Sequence, residues 1–400
     1  MKRIVLLYLL ILCFTTKALA QNDIDNNERI NNILQEIVKN NTQLKAQHQQ
    51  MKAQILANGA ELRLSDPDVD VAYSLNTPDC YYNKLNVSVM QSLDWDVIMG
   101  KRKMKAKAAN TLAERSYQKQ LAEVLNNADE TVVNVIYYNI LCNELSKRES
   151  ASERLLKLYT KKYEKGDATA IELNKVKLNI SMCKAELKRA QSERQKANAT
   201  LQQLNGGVAI AINDTSYFAN TAQIPSLNYL SAQQDNNSSI AMAKANIEVS
   251  ERALSIAKLL KYPTLKIGFQ GEYNGNERYS GLGVGFTLPL WGNNRKKIKQ
   301  AEAQVLADRQ EVCNLTQQQD LAIKKQYEQV TSLANIAKEL QDNLSNTSSL
   351  YLLQRSLDSG QISLIDYLLE ETFFYTARTT LLDAQHDTQL AMSKLRAMFR

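Results

Sequence analysis

Residues that commonly do chemistry are few in this sequence and far apart. Histidine, the usual proton carrier and metal ligand near neutral pH, occurs twice in 400 residues, at His48 and His386. Both lie in helix-like polar surroundings with no nucleophile turn and no metal-ligand spacing nearby, and His386 reads as a surface residue rather than a base. Beyond residue 20 there are four cysteines, Cys80, Cys142, Cys183 and Cys313. If the chain reverses at Gly166, Cys142 lies 24 residues before the turn and Cys183 lies 17 after it. On adjacent helices that is an axial offset of roughly 10 Å, too far for a bridge. Buried, unpaired thiols are expected instead. Neither a catalytic centre nor a cofactor nor a metal site is expected, and the search turns to the elements that could position anything else.

Those elements are long helices. The whole chain contains only 13 Gly and 5 Pro beside 44% apolar residues, which argues against a turn-rich fold of short elements. Neither Gly nor Pro occurs from Lys101 to Lys165, from Asp167 to Asn205, from Asn293 to Ser359 or after Gly360. The first and third of these stretches would each run about 95–100 Å if helical throughout. Val176, Ile180, Cys183, Leu187 and Ala190 step by fours and threes, and so do Val330, Ala334, Ala337 and Leu340. That spacing is the stripe of a coiled coil, and core packing accounts for it without any ligand.

Residues 1–20 read as a secretory signal: Lys2-Arg3, then the apolar run Ile4 to Phe14, then Ala18-Leu19-Ala20 as the cleavage site. Cys13 follows Leu12 rather than a small residue, so no lipid anchor is read there. Without Lys2, Arg3 and Lys17 the net charge falls from +7 to +4. Its interspersed signs describe a solvated helix surface and no nucleic-acid partner. Past residue 20 no apolar run reaches the roughly 18 residues a membrane helix needs. A membrane crossing would therefore have to be made of strands.

Between the helices the period changes to two. Residues 67–75, 83–93, 263–273 and about 279–290 alternate apolar with polar or small residues. Pro67, Val69, Val71 and Tyr73 match Pro263, Leu265, Ile267 and Phe269 at an offset of 196, and Leu85, Val87 and Val89 match Leu282, Val284 and Phe286 at 197. The duplication extends to the helices, where Gly166 and Gly360, and likewise Ile171-Glu172 and Ile365-Asp366, match at 194. Residues 21–207 thus form one repeat of helix, two strands, long helix, tight reversal and returning helix, and 238–400 form the second. Residues 208–237 link them.

Each strand has one apolar face: Leu265, Ile267, Phe269 and Tyr273 oppose Lys266, Gly268, Gln270 and Glu272. Alternation alone is compatible with a soluble sandwich edge or with a membrane barrel that is apolar outside and polar inside. Tyr81, Tyr82, Trp95, Tyr262, Tyr279 and Trp291 lie near strand ends, where amphipathic rings favour a lipid–water interface, and the two Trp precede the basic runs at residues 101–103 and 295–297. Four strands cannot close a barrel, and open edges cannot face lipid. Two copies would give a filled eight-stranded barrel, whereas three give twelve strands and a lumen.

The doubled plan resembles the TolC-like outer-membrane factor family over essentially the whole chain after residue 20. The resemblance is carried by the Pro-led strands at Pro67 and Pro263, the passages Gln91-Ser92-Leu93 to Gly100-Lys101-Arg102 and Leu288 to Lys296, and the turns ending at Gly166 and Gly360. It implies a mainly α fold with a small β part, in which three chains build a helical barrel continuous with a twelve-stranded outer-membrane barrel. The implied role is the passive outer-membrane channel of a tripartite efflux system. Its partners would be outer-membrane lipid, a periplasmic adaptor and an inner-membrane transporter of the resistance-nodulation-division class. The turns at Gly166-Asp167 and Gly360-Gln361 would be the periplasmic tips where the adaptor docks, and small shifts of the tip helices would gate the pore. In the family, acids beyond the second turn can ring the constriction. Asp366 and Glu370, one helical turn apart, are the candidates here, with Glu172 as the repeat counterpart of Asp366; ordinary solvated acids are the alternative. A duct for type I protein secretion and a soluble periplasmic coiled-coil scaffold or adaptor are the competing functions.

Overall fold

The computed structural model describes residues 21–75, 83–214, 224–233, 237–275, 277–289, 294–345 and 350–400. The signal-like segment 1–20, Cys80, Tyr81, Tyr82 and Trp291 lie outside them. The elements are α1 (Gln21–Asn40), α2 (Thr42–Ala60), β1 (Asp68–Ser74), β2 (Lys84–Leu93), α3 (Trp95–Ile98), α4 (Lys101–Glu164), α5 (Ala170–Leu204) and α6 (Leu227–Ala232). They continue with α7 (Ser238–Ala257), a 3-10 turn at Lys258–Lys261, β3 (Thr264–Asn274), β4 (Glu277–Thr287), α8 (Asn294–Ser345), α9 (Leu350–Asp358) and α10 (Leu364–Ala397). The described chain is therefore mainly α with one small sheet. It divides into two compact units, each drawing on both halves of the sequence.

The strand unit comprises residues 43–124, 227–326 and 395–400. Its four strands form one antiparallel sheet in the order β1-β2-β3-β4, so the hairpins of the two halves join directly through β2 and β3. Antiparallel pairing with a two-residue period keeps like faces together. Val69 pairs with Val89, Val89 with Phe269 and Phe269 with Leu282, a continuous apolar row across the sheet. The adjacent row on the opposite face runs Asp68, Met90, Gly268 and Gly283. A Cβ on Gly268 would sit 2.0 Å from the Val89 carbonyl oxygen, so this position has room for hydrogen only. The helical part of this unit buries Leu44, Ile240 and Ile323. Asn237 starts α7 by accepting from the N–H groups of Ser239 at 2.9 Å and Ile240 at 3.2 Å.

Among the described residues, the helical unit takes in 21–42, 125–214, 224–226, 327–345 and 350–394. The stripe read from the sequence of α5 is its buried face: Val176, Ile180, Cys183, Leu187 and Ala190 are all in the core. Asn205 is fully buried at the end of α5, where its amide accepts from Asn40 and donates to Glu36 and the Val208 carbonyl. Asn41, at the break between α1 and α2, donates to the Leu204 carbonyl at 2.7 Å.

Two expectations are corrected. Cys142 and Cys183 are buried free thiols, but Cys313 is exposed on α8. His386 is not a free surface residue: its side chain is 16% exposed, its ring stacks on Tyr137 at 4.2 Å, and its Nε2 lies 2.8 Å from Asn134 Oδ1.

Candidate functional site: a two-faced sheet and a pair of helical turns

In the strand unit the side chains that would normally form a core point outward. Val69 is 61% exposed, Val284 63%, Phe286 66% and Leu282 91%. Polar groups on the other face hold one another across the strands: Lys266 pairs with Asp68 at 2.6 Å and Lys84 with Glu272 at 2.8 Å. Next to these pairs a recess of about 540 Å³ is lined by residues including Asp70, Ser88, Gln270 and Glu272. The edges of the sheet are β1 and β4, each pairing along one side only. A surface with one greasy face, one ion-paired face and two open edges can do no bond chemistry, but its strands are ready to pair further.

The predicted interface aromatics fall in different places. Trp95 is half-buried, and its indole N–H donates to the Pro263 carbonyl at 2.6 Å, tying the start of α3 to the entry of β3. Tyr262 is exposed beside that entry. Tyr279 pairs with Glu272, which places it on the polar face, and its hydroxyl donates to Glu277 at 2.6 Å; it is a lining residue and not part of the apolar band. In the basic run at 101–103, Arg102 has a structural role. Its guanidinium donates to Asp96 at 2.9 and 3.1 Å and to the carbonyls of Glu61 and Arg63.

The helical unit holds both turns. At the first, the Gly166 N–H donates to the Tyr163 carbonyl and the Asp167 N–H to that of Lys162; at the second, Gly360 donates to Leu357 and Gln361 to Ser356. This is the Schellman pattern, and it needs the positive φ of 83° at Gly166 and 74° at Gly360. The returning helices then start alike. Thr169 caps α5 by accepting from the Glu172 N–H, while the Glu172 carboxylate accepts from the Thr169 N–H at 2.7 Å. At the start of α10 the Ser363 hydroxyl donates to the Asp366 carboxylate at 2.7 Å and accepts from the Asp366 N–H at 3.2 Å. The Thr169 N–H holds the Glu172 carboxyl below its usual range. Helix capping therefore accounts for the matched acids Glu172 and Asp366. Glu370 is exposed one turn further on.

Between the turns an apolar cluster of Leu155, Tyr159, Leu173, Val176, Leu357, Leu364 and Tyr367 packs the two hairpins together. Beside it lies a buried polar group that sequence reasoning missed. Glu371 is 2% exposed and accepts from the Tyr367 hydroxyl at 3.3 Å and from the Asn179 amide at 3.4 Å. Burial pushes its carboxyl above the usual range, partly offset by Arg148. Arg148 itself pairs with Glu186 at 2.8 Å and stacks over the Tyr375 ring. The only signal in the sequence was position: Glu371 lies one helical turn beyond Tyr367 and so on its buried face.

The remaining titratable groups give no reaction centre. Burial lowers the His386 pKa, and Asp383 near it accepts the Tyr137 hydroxyl at 2.5 Å. No group of His, Cys, Asp and Glu among the described residues could hold a metal ion. No described helix is long and apolar enough to cross a membrane.

Residues 229–399 match the family model described as outer membrane efflux protein. No curated protein matches the chain. The fold is similar to that of CusC, described for its folding and transmembrane channel formation, at 16% identity over 93% of this chain and 92% of that one, with a TM-score of 0.76. It is also similar to the CmeC outer membrane channel of Campylobacter jejuni, at 16% identity, 96% and 89% coverage and a TM-score of 0.74. The outer membrane protein VceC of Vibrio cholerae aligns at 14% identity, 93% and 96% coverage and a TM-score of 0.72.

Proposed function

Residues 229–399 match the outer membrane efflux protein family, and from that match and the fold we propose that the chain is a member whose three copies form a passive outer-membrane channel of a tripartite efflux system. It is a channel protein and not an enzyme. Three sheets joined edge to edge supply twelve strands, with the row Val69, Val89, Phe269 and Leu282 against lipid and the Asp68–Lys266 face toward the lumen. Tyr262 and Trp95 would mark the periplasmic rim. The helical unit would extend into the periplasm, with the turns at Gly166-Asp167 and Gly360-Gln361 meeting an adaptor that links the channel to an inner-membrane transporter of the resistance-nodulation-division class.

The observation that carries this reading is the register-aligned apolar face of a sheet with two open edges. Edge amides left unpaired in lipid cost several kcal/mol each, of order, so the strands enter a bilayer only as a closed wall. Asp366 and Glu370 are proposed as the acids nearest the constriction, with Glu172 confined to capping. The test is native mass spectrometry of detergent-purified protein followed by planar-bilayer recording. A trimer with discrete conductance steps is expected; a water-soluble monomer that leaves the bilayer silent contradicts the proposal.

A further inference from the structure

The internal duplication sets two turns of the same backbone design side by side, and their charges are opposite. Residues 156–178 contain six lysines against Glu164, Asp167 and Glu172, for a net +3. The matching residues 350–372, offset by 194, contain Arg355 against Asp358, Asp366, Glu370 and Glu371, for a net −3. Two copies of one hairpin with the same Schellman turn and the same hydroxyl cap on the returning helix need no such difference to fold. The charges therefore concern what the turns meet rather than how they form.

Lys157, Lys161, Lys165, Lys175 and Lys177 are exposed, and none makes an ion pair among the described residues. Lys162 lies over the Tyr159 ring at 5.2 Å, and Lys162 and Lys175 help hold the Glu172 carboxyl below its usual range. Lys161 and Lys162 lie in the last turn of α4, and Lys165 follows its end. A cationic cluster there is favoured by the helix C-terminus but repels itself. Apolar side chains stand out of the same surface: Tyr163 is 46% exposed, Ile171 69% and Leu178 63%. A net positive charge held without ion pairs around protruding apolar groups is the composition of an interface whose partner supplies negative charge.

We infer that the first turn, and not the second, is the electrostatic anchor for a periplasmic partner whose docking tip is acidic and apolar. This rests on the channel reading, which places the turn in the periplasm and requires a second protein to reach it. The second turn, with exposed Asp358 and Glu370, repels the same tip, so the partner is steered to one of two otherwise equivalent sites on each copy. A basic helical tip is excluded from the first turn by the same charges.

The probes are two synthetic helical-hairpin peptides that differ only at the turn, one carrying four Glu and one four Lys, each flanking the same Leu pair. Binding to the full-length detergent-purified channel is measured by interferometry in 50 mM and 500 mM salt. The acidic peptide should bind at least ~10-fold tighter than the basic one in low salt, with most of that preference lost in high salt. Lys161→Glu with Lys165→Glu should abolish the preference, and Asp358→Lys with Glu370→Lys should leave it in place at the first turn. Equal binding of both peptides, or a preference untouched by the first pair of substitutions, overturns the inference, as does a lysine effect seen only with vesicles containing phosphatidylglycerol. Conductance of the same preparation separates the two levels: a conducting trimer without the preference defeats the inference alone, and a preparation that never conducts defeats the channel reading.

Discussion

The apolar side chains near the two turns follow a helical period and those of the sheet a period of two, and they end in opposite surroundings. Leu155, Val176, Leu357 and Leu364 cover one another until none is more than 4% exposed, whereas Val69, Val284, Phe286 and Leu282 remain 61–91% exposed. The helical unit completes its core near the turns within one chain, and the sheet does not complete one at all. An apolar face of that size left in water would forgo about 25 cal/mol per Å² of burial and invite aggregation. The sheet is stable only where something else covers that face. One region can therefore be tested as an ordinary core and the other as a surface made for lipid.

The largest separation between them should come from truncating the turn core. Leu357→Ala is expected to destabilise the helical unit by about 2–5 kcal/mol in chemical denaturation, while Leu282→Ala in detergent should change stability by well under ~1 kcal/mol. A charge reverses the order. Phe269→Lys should cost insertion about 2–4 kcal/mol, seen as loss of conductance, with the helical circular dichroism signal unchanged. If both alanine variants cost the same, the sheet face is a core and the contrast fails.

Smaller effects sharpen the comparison inside the helical unit. Gly360→Ala forces a side chain into positive φ and should cost about 1–2 kcal/mol, and Thr169→Ala, which breaks the capping box, about 1. The smallest effect is a pH dependence. The Glu371 carboxyl is raised in the folded unit by burial, so the folded state binds more protons than the unfolded one between the ordinary carboxylate range and the raised value. Stability should therefore rise as pH falls through that window, and the melting temperature of Glu371→Gln should lack that part of the slope. Glu172 acts oppositely: its lowered pKa adds stability that disappears as pH falls through the folded value.

Much of this was legible in the sequence where one local rule was enough. Period-two runs gave the four strands, glycines gave the two reversals, and the offset of 194 paired Glu172 with Asp366 before their contacts with the capping hydroxyls explained why. Tyr279 was misplaced because its aromatic identity was weighed above its parity: counting back by twos from Leu282 reaches Ser280, not Tyr279. His386, Arg102 and Glu371 were out of reach for another reason. Their partners Tyr137, Glu61 and Asn179 lie on other elements, and a polar residue on a helix gives no local sign that a neighbouring helix will cover it. The break at Asn41 was hidden likewise, since its amide is satisfied by Leu204, far along the chain.

The most direct test of the central claim is to ask each face of the sheet which solvent it meets. Nitroxides placed by Leu282→Cys on the apolar face and Ser88→Cys on the polar face, in protein reconstituted into liposomes, report relaxation by lipid-soluble oxygen and by a water-soluble nickel chelate. The account predicts that the label at 282 responds to oxygen and not to nickel, and that the label at 88 responds to nickel. If nickel reaches both labels equally, the sheet does not face lipid and the channel assignment is contradicted.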